Sequence, residues 1–127
     1  MRAVLDSSAL LALLLEEAGA EQVEAMLDGC LISVVNVAEV AATLARHFSV
    51  EEVKSILADS GPVPVAADEE MAIDAGLLRP VTDVAGLSLA DRFCLALGRR
   101  LGVPVVTADK AWARVAESAA VEVLLIR

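Results

Sequence analysis

Aromatic residues are nearly missing from this chain: no tyrosine, one tryptophan and two phenylalanines make up 2% of its 127 residues. Yet 57% of the residues are hydrophobic, so the core has to be built from Val, Leu, Ile and Ala. That profile suits a sheet buried on both faces by helices. Long apolar runs are missing too. The longest, Ala9 to Leu15, is seven residues, against the ~20 needed to cross a bilayer, so no membrane span is expected. Cysteine is scarce: Cys30 and Cys94 have neither metal nor redox spacing and read as small core residues, as in a cytoplasmic protein. Arg2, Ala9–Leu15 and Ala18-Gly19-Ala20 sketch a secretion signal, but Asp6 and Glu16-Glu17 interrupt it.

Basic charge is the last deficit. Ten Lys and Arg stand against nineteen Asp and Glu, a net charge of −9, and the basic footprint of an ordinary nucleic-acid binder is lacking. Much of the acidity lies in two clusters, Glu16, Glu17, Glu21, Glu24 and Asp28, then Asp68, Glu69, Glu70 and Asp74. Both read as solvated helix faces.

What is present is an alternation of short apolar segments with helical ones. Val4-Leu5 opens as a strand. Helices are predicted over Ser7–Glu17 and Ala20–Asp28, broken at Gly19 and ended by Gly29. Leu31–Val35 reads as the second strand. Asn36 opens a helix towards His47, and Val50–Asp59 forms another, stopped by Gly61-Pro62. Val63–Val65 is a weaker strand because Pro64 cannot donate to a ladder. Asp68–Leu78 is predicted helical, Arg79–Gly86 a loop, and Ser88–Leu101 a long helix terminated by Gly102. Pro104–Thr107, a short helix over Lys110–Glu117, and a last strand over Val121–Ile126 complete the chain. Such βαβ units imply a single α/β domain over residues 1–127, a three-layer α/β/α sandwich around a mainly parallel sheet.

Four acids, Asp6, Glu39, Asp91 and Asp109, fall where a strand stops or the next helix begins. In an open parallel sheet these places share the carboxyl edge, where α/β proteins hold ligands. Each has a simpler explanation. Asn36–Glu39 and Ser88–Asp91 have capping-box spacing, and Asp6 and Asp109 suit helix N-caps. Capping does not, however, require all four to share one sheet edge. Four carboxylates gathered there repel one another unless a cation neutralises them. With no His or Cys among them, the donors suit Mg²⁺ or Mn²⁺ rather than zinc. One or two such ions would also bring the charge of the four acids from −4 to between −2 and 0.

The segments Asp6-Ser7-Ser8-Ala9-Leu10, Ser33–Val40, Leu87–Arg92 and Thr107–Trp112 resemble, in order and spacing, the successive motifs of PIN-domain nucleases. The nearest branch is the VapC-type toxins of bacterial toxin–antitoxin pairs. The resemblance covers essentially the whole chain. It implies a PIN fold, Mg²⁺- or Mn²⁺-dependent RNA cleavage, a cognate antitoxin and frequent homodimerisation. It makes Asp6, Glu39, Asp91 and Asp109 the metal-binding and catalytic set, and Ser8, Asn36 and Thr107 the polar neighbours that orient acids or water. The preference for RNA over DNA comes from the resemblance alone.

Other readings were weighed. A phosphoacceptor receiver domain wants paired acids after the first strand and an Asp closing the third; Ser7-Ser8 and Ala66-Ala67 stand there instead. A phosphatase with Asp6 as nucleophile wants a second acid where Ser8 stands. A catalytically silent PIN-like binding domain is the remaining alternative. Lys110 is either a phosphate contact or a solvated charge, and Arg92 either meets phosphate or pairs with an acid. Trp112 reads as packing, His47 as a helix C-cap and Asp83 as a surface residue. The apolar surplus of Ala9–Leu15 is expected to meet a partner, a second copy or an antitoxin.

Overall fold

A computed structural model describes residues 2–127. Five short strands, β1 (Val4–Leu5), β2 (Leu31–Ser33), β3 (Val63–Val65), β4 (Val105–Thr107) and β5 (Val123–Leu125), form one sheet in the order β3-β2-β1-β4-β5. Every pairing is parallel. Pro64 lies on β3, at the edge of the sheet, where its missing N–H costs least. The chain winds outward from β1 through β2 to β3, then returns to the other side of β1 for β4. The crevice between the carboxyl ends of β1 and β4 is therefore the topological switch point.

Alternate residues of the central strands enter opposite layers. Val4 and Val105 pack with α5 (Glu69–Leu77), α7 (Leu89–Leu101) and α8 (Ala116–Ala119). Leu5 and Val106 pack with α1 (Ser7–Leu14) and α2 (Ala20–Met26). A third cluster joins Leu10 of α1 and Ile32 of β2 to Val40 and Leu44 of α3 (Val34–Leu44) and Val53 of α4 (Val50–Ala58). Leu11, Leu13 and Leu14 are half-buried against it, so much of the surplus of α1 is used inside the molecule. Trp112 is fully buried, as packing requires.

One close approach sets the height of α7 above the sheet. A Cβ on Gly98 would stand 2.5 Å from Val105 Cγ1 and 3.2 Å from the Val103 carbonyl oxygen. Glycine lets α7 lie directly on β4. At its other end, Gly102 closes the helix with a left-handed φ of 66°.

Three local expectations are corrected. β2 ends at Ser33 and α3 begins at Val34, because the Ser33 hydroxyl caps the helix by accepting the Val35 N–H at 3.2 Å. Asn36 is thus the third helical residue, and Asn36–Glu39 is no capping box. The segment Arg79–Gly86 is not an open loop: α6 (Arg79–Thr82) carries Pro80 in its first turn and runs into a 3₁₀ turn at Asp83–Ala85. The helix expected from Lys110 is split into a 3₁₀ helix, Lys110–Arg114, and α8.

Candidate active site

Asp6 is the fixed point. It leaves β1 and caps α1, accepting the Ala9 N–H on Oδ1 at 2.8 Å. Its other oxygen takes the Thr107 hydroxyl at 2.5 Å, across the β1–β4 crevice. The Ser8 hydroxyl lies 2.7 and 2.9 Å from the two oxygens and accepts the Ala108 N–H at 2.9 Å. Asp6 is 3% exposed. Burial pushes its carboxyl from 3.8 up to about 6, against the lowering by hydrogen bonds from Thr107, Ala9 and Ser8; the charge of Asp91 adds to the rise.

Glu39 is positioned by a residue outside the predicted set. Ser7 donates its hydroxyl to Glu39 Oε1 at 2.5 Å. Ser7 also accepts from Asn36 Nδ2 at 3.1 Å, and the same amide group reaches the Ala90 carbonyl at 3.3 Å and Glu39 at 3.4 Å. A fully buried Asn36 therefore ties α1, α3 and α7 together, with its Oδ1 left without a partner among the described residues. Ser7 adjoins Asp6 in sequence, but its pairing with Glu39 spans 32 positions and needs the fold to be seen.

Asp91 and Ser88 form a capping box: the Ser88 hydroxyl accepts the Asp91 N–H at 3.2 Å and Asp91 accepts the Ser88 N–H at 2.9 Å. Burial raises the Asp91 carboxyl above its ordinary value, opposed by the bonds to Ser88 and reinforced by the charges of Glu39 and Asp109. Asp109 caps the 3₁₀ helix through the Ala111 N–H at 3.0 Å and is exposed at the rim. Its own N–H is accepted by Thr107 at 3.0 Å. Beneath the acids, Cys94 is fully buried; burial first, then the charges of Asp6, Asp91 and Glu39, hold its thiol well above the usual range.

The charge of Asp91 thus reaches Asp6, and those of Glu39 and Asp109 reach Asp91. In kind, the donors fit a hard divalent cation, being carboxylates without imidazole or thiolate. Among the described residues no three of them stand close enough together to hold an ion. The hydrogen bonds explain this: Asp6 spends both oxygens on hydroxyls and an N–H, Glu39 is turned to Ser7, and Asp91 to Ser88. Mutual repulsion favours that separation.

The flanking residues sort clearly. Asp83 pairs with Arg79 at 3.6 Å on the surface. His47 lies exposed beyond α3, its N–H bonded to the Leu44 carbonyl. Lys110 is exposed, and Arg92 is half-buried with no ion pair among the described residues. No helix among the described residues is long and apolar enough to cross a membrane.

The family model for the PIN domain matches residues 3–118. A comparison with curated proteins finds no match. Several solved structures share the fold. A toxin–antitoxin complex from Klebsiella pneumoniae is 21% identical, covers 98% of both chains and gives a TM-score of 0.74. DNA-bound VapBC from Salmonella typhimurium is 15% identical, covers 100% of this chain and 99% of that one, and gives 0.75. VapBC-5 from Mycobacterium tuberculosis is 20% identical over 98% of both chains, at 0.65. The parallel sheet, the acids at its switch point and a family match over nearly the full length lead to one conclusion: the chain belongs to the PIN-domain family.

Proposed function

We propose that this PIN domain is a metal-dependent endoribonuclease of the VapC type, the toxin of a type II toxin–antitoxin pair, with Asp6, Glu39, Asp91 and Asp109 holding Mg²⁺ or Mn²⁺. The observation that carries the reading is electrostatic. Asp6 feels Asp91, and Asp91 feels Glu39 and Asp109, at one sheet edge with no cation among the described residues within ion-pair distance of any of them. When bound, such an ion supplies a Lewis acid and a water acidic enough to attack a phosphodiester at neutral pH.

The chain's own residues supply the rest. Thr107 and Ser8 hold the Asp6 carboxylate in one orientation at the end of β1. Ser7 and Asn36 aim Glu39, and Ser88 holds Asp91 at the first turn of α7. In the metal-free protein the Asp6 carboxyl is pushed up to about 6, so protons compete with the cation for it and metal binding, with activity, weakens on the acid side. The proposed partners are RNA, a cognate antitoxin and a second copy of the chain. The toxin–antitoxin titles of the structural neighbours support the antitoxin. Exposed Ile73, Leu77, Val84 and Leu89 give a protein partner apolar surface to cover.

The second reading is a catalytically silent PIN-like domain that only binds a partner, and the separation of the carboxylates favours it. A structured RNA pool incubated with antitoxin-free protein and Mg²⁺ or Mn²⁺, beside EDTA and an Asp91→Asn variant checked for folding, separates the two. Cleavage abolished by chelator and by the variant supports the nuclease. Cleavage undiminished in excess EDTA removes the metal mechanism, and none at all from folded protein favours the binding domain.

A further inference from the structure

Gly76 has no evident use inside this chain. It lies within α5 on helical backbone, outside the left-handed region where glycine is favoured. A Cβ there would meet nothing within 4 Å beyond its own helix among the described residues. Gly98 is the contrast, because there the sheet and the Val103 carbonyl forbid a side chain. Glycine within a helix costs stability relative to alanine. A glycine with no internal reason fits a backbone that something outside the chain approaches closely.

The surroundings of Gly76 point the same way. With about 3.6 residues per turn, Ala72, Ile73, Gly76 and Leu77 share one side of α5, while Met71, Ala75 and Leu78 face the core. The first four are exposed, Ile73 to 54% and Leu77 to 70%. This face therefore sets large apolar side chains beside small ones. Its two ends carry opposite charge: Glu70 lies in the first turn and Arg79 follows the last. Glu70 meets Arg100 at 3.5 Å and Arg79 meets Asp83 at 3.6 Å, yet both remain largely exposed.

A surface that meets its own copy about a two-fold axis must be self-complementary. This one is, when two copies of α5 run antiparallel about a point midway between Ile73 and Gly76. Ile73 then faces Gly76 of the second copy, Leu77 faces Ala72, and Glu70 faces Arg79. Each large side chain meets a small one, and each acid meets a base.

We propose that α5 is the docking face for a second copy of this chain, packed antiparallel with Gly76 at the closest approach. The proposal gives a place to the second copy named above and rests on that part of the functional reading, not on RNA cleavage. A different protein would satisfy Ile73 and Leu77 equally well; the spacing of Gly76, Glu70 and Arg79 favours the copy. One helix face makes a small interface, so dissociation in the micromolar range is expected.

Sedimentation equilibrium of the antitoxin-free protein across micromolar concentrations is the test. The parent is expected to approach twice the 13.2 kDa chain mass. Gly76→Gln clashes with nothing inside the chain and is the better helix former, so its dilute thermal melt is expected no lower than the parent's. Its dimer is nevertheless expected to be weaker by about tenfold or more, as is that of Leu77→Glu. Glu70→Arg and Arg79→Glu are each expected to weaken the dimer by about threefold or more, and the double variant to recover it. A parent that stays monomeric throughout overturns the proposal and leaves the face to a different protein, such as the antitoxin. A dimer as tight in Gly76→Gln and Leu77→Glu as in the parent overturns it by putting the interface elsewhere. A double reversal no tighter than either single one overturns the antiparallel arrangement. Mass is the readout throughout, so a failure of the nuclease reading leaves each result standing.

Discussion

Replacing Asp6 by Asn should stabilise the metal-free protein at neutral pH while destroying its proposed function. The wild-type carboxyl titrates near 6 in the folded chain, against 3.8 ordinarily, chiefly because it is buried. With the folded value above the unfolded one, ionisation favours unfolding. The contribution of Asp6 is therefore fully present below pH 3.8 and is lost as pH rises through about 6. At about 1.4 kcal/mol per unit of pKa, the loss amounts to about 3 kcal/mol at pH 7.5. It is about half that at pH 5 and about half a kcal/mol at pH 4. Asn carries no charge and keeps an oxygen for the Ala9 N–H, so it escapes the loss. Urea unfolding in EDTA reads the difference directly. With an m-value of about 1.5 kcal/mol/M, the midpoint of Asp6→Asn lies about 2 M higher at pH 7.5, and the gap closes towards pH 4. The changed hydrogen bonds to Thr107 and Ser8 add an offset that does not vary with pH. The slope is therefore the test, and a gap constant from pH 4 to 7.5 refutes the argument that burial strains this carboxylate.

Gly98→Ala should cost about 1–3 kcal/mol despite the better helix propensity of Ala, worth about 1 kcal/mol, because its Cβ meets Val105 and the rigid Val103 carbonyl; a thermal melt reads this. Ser88→Ala removes one half of a capping box and should lower stability by about 1 kcal/mol in urea. Ser7→Ala frees Glu39 from its 2.5 Å bond and should lower kcat for RNA about tenfold while moving the urea midpoint little. Asn36→Leu leaves the Ala90 carbonyl without its side-chain donor and frees Ser7 and Glu39, so it should lose both stability, by about 2 kcal/mol, and activity.

The parts legible in the sequence were those written in local chemistry. Asp6, Ser88 with Asp91, and Asp109 cap their helices as their types and spacing require. Parallel pairing followed from apolar strands separated by helices, and all five strands pair that way. Leu31–Val35 misled because β-branched residues continue past Ser33, yet the Ser33 hydroxyl and the packing of Val40 and Leu44 start the helix there. The spacing of Asn36 and Glu39 mimicked a capping box, whereas the real link runs through Ser7 from a distant helix. Pro80 in the first turn of α6 was the one available signal for that short helix, hidden by its four-residue length. The hydroxyls that keep Asp6 and Glu39 apart likewise belong to tertiary structure, so spacing could place the acids on one edge without giving their separation.

The central claim is that these four carboxylates, held apart by hydroxyls and N–H groups, come together on one hard cation. Calorimetric titration of Mn²⁺ into the wild type and into Asp6→Asn, Glu39→Gln, Asp91→Asn and Asp109→Asn at pH 7.5 tests it most directly. One or two ions bound by the wild type, with affinity at least tenfold weaker in each variant, is the expected result. No binding at millimolar Mn²⁺, or equal binding by Asp6→Asn and Asp91→Asn, would return the acids to helix capping.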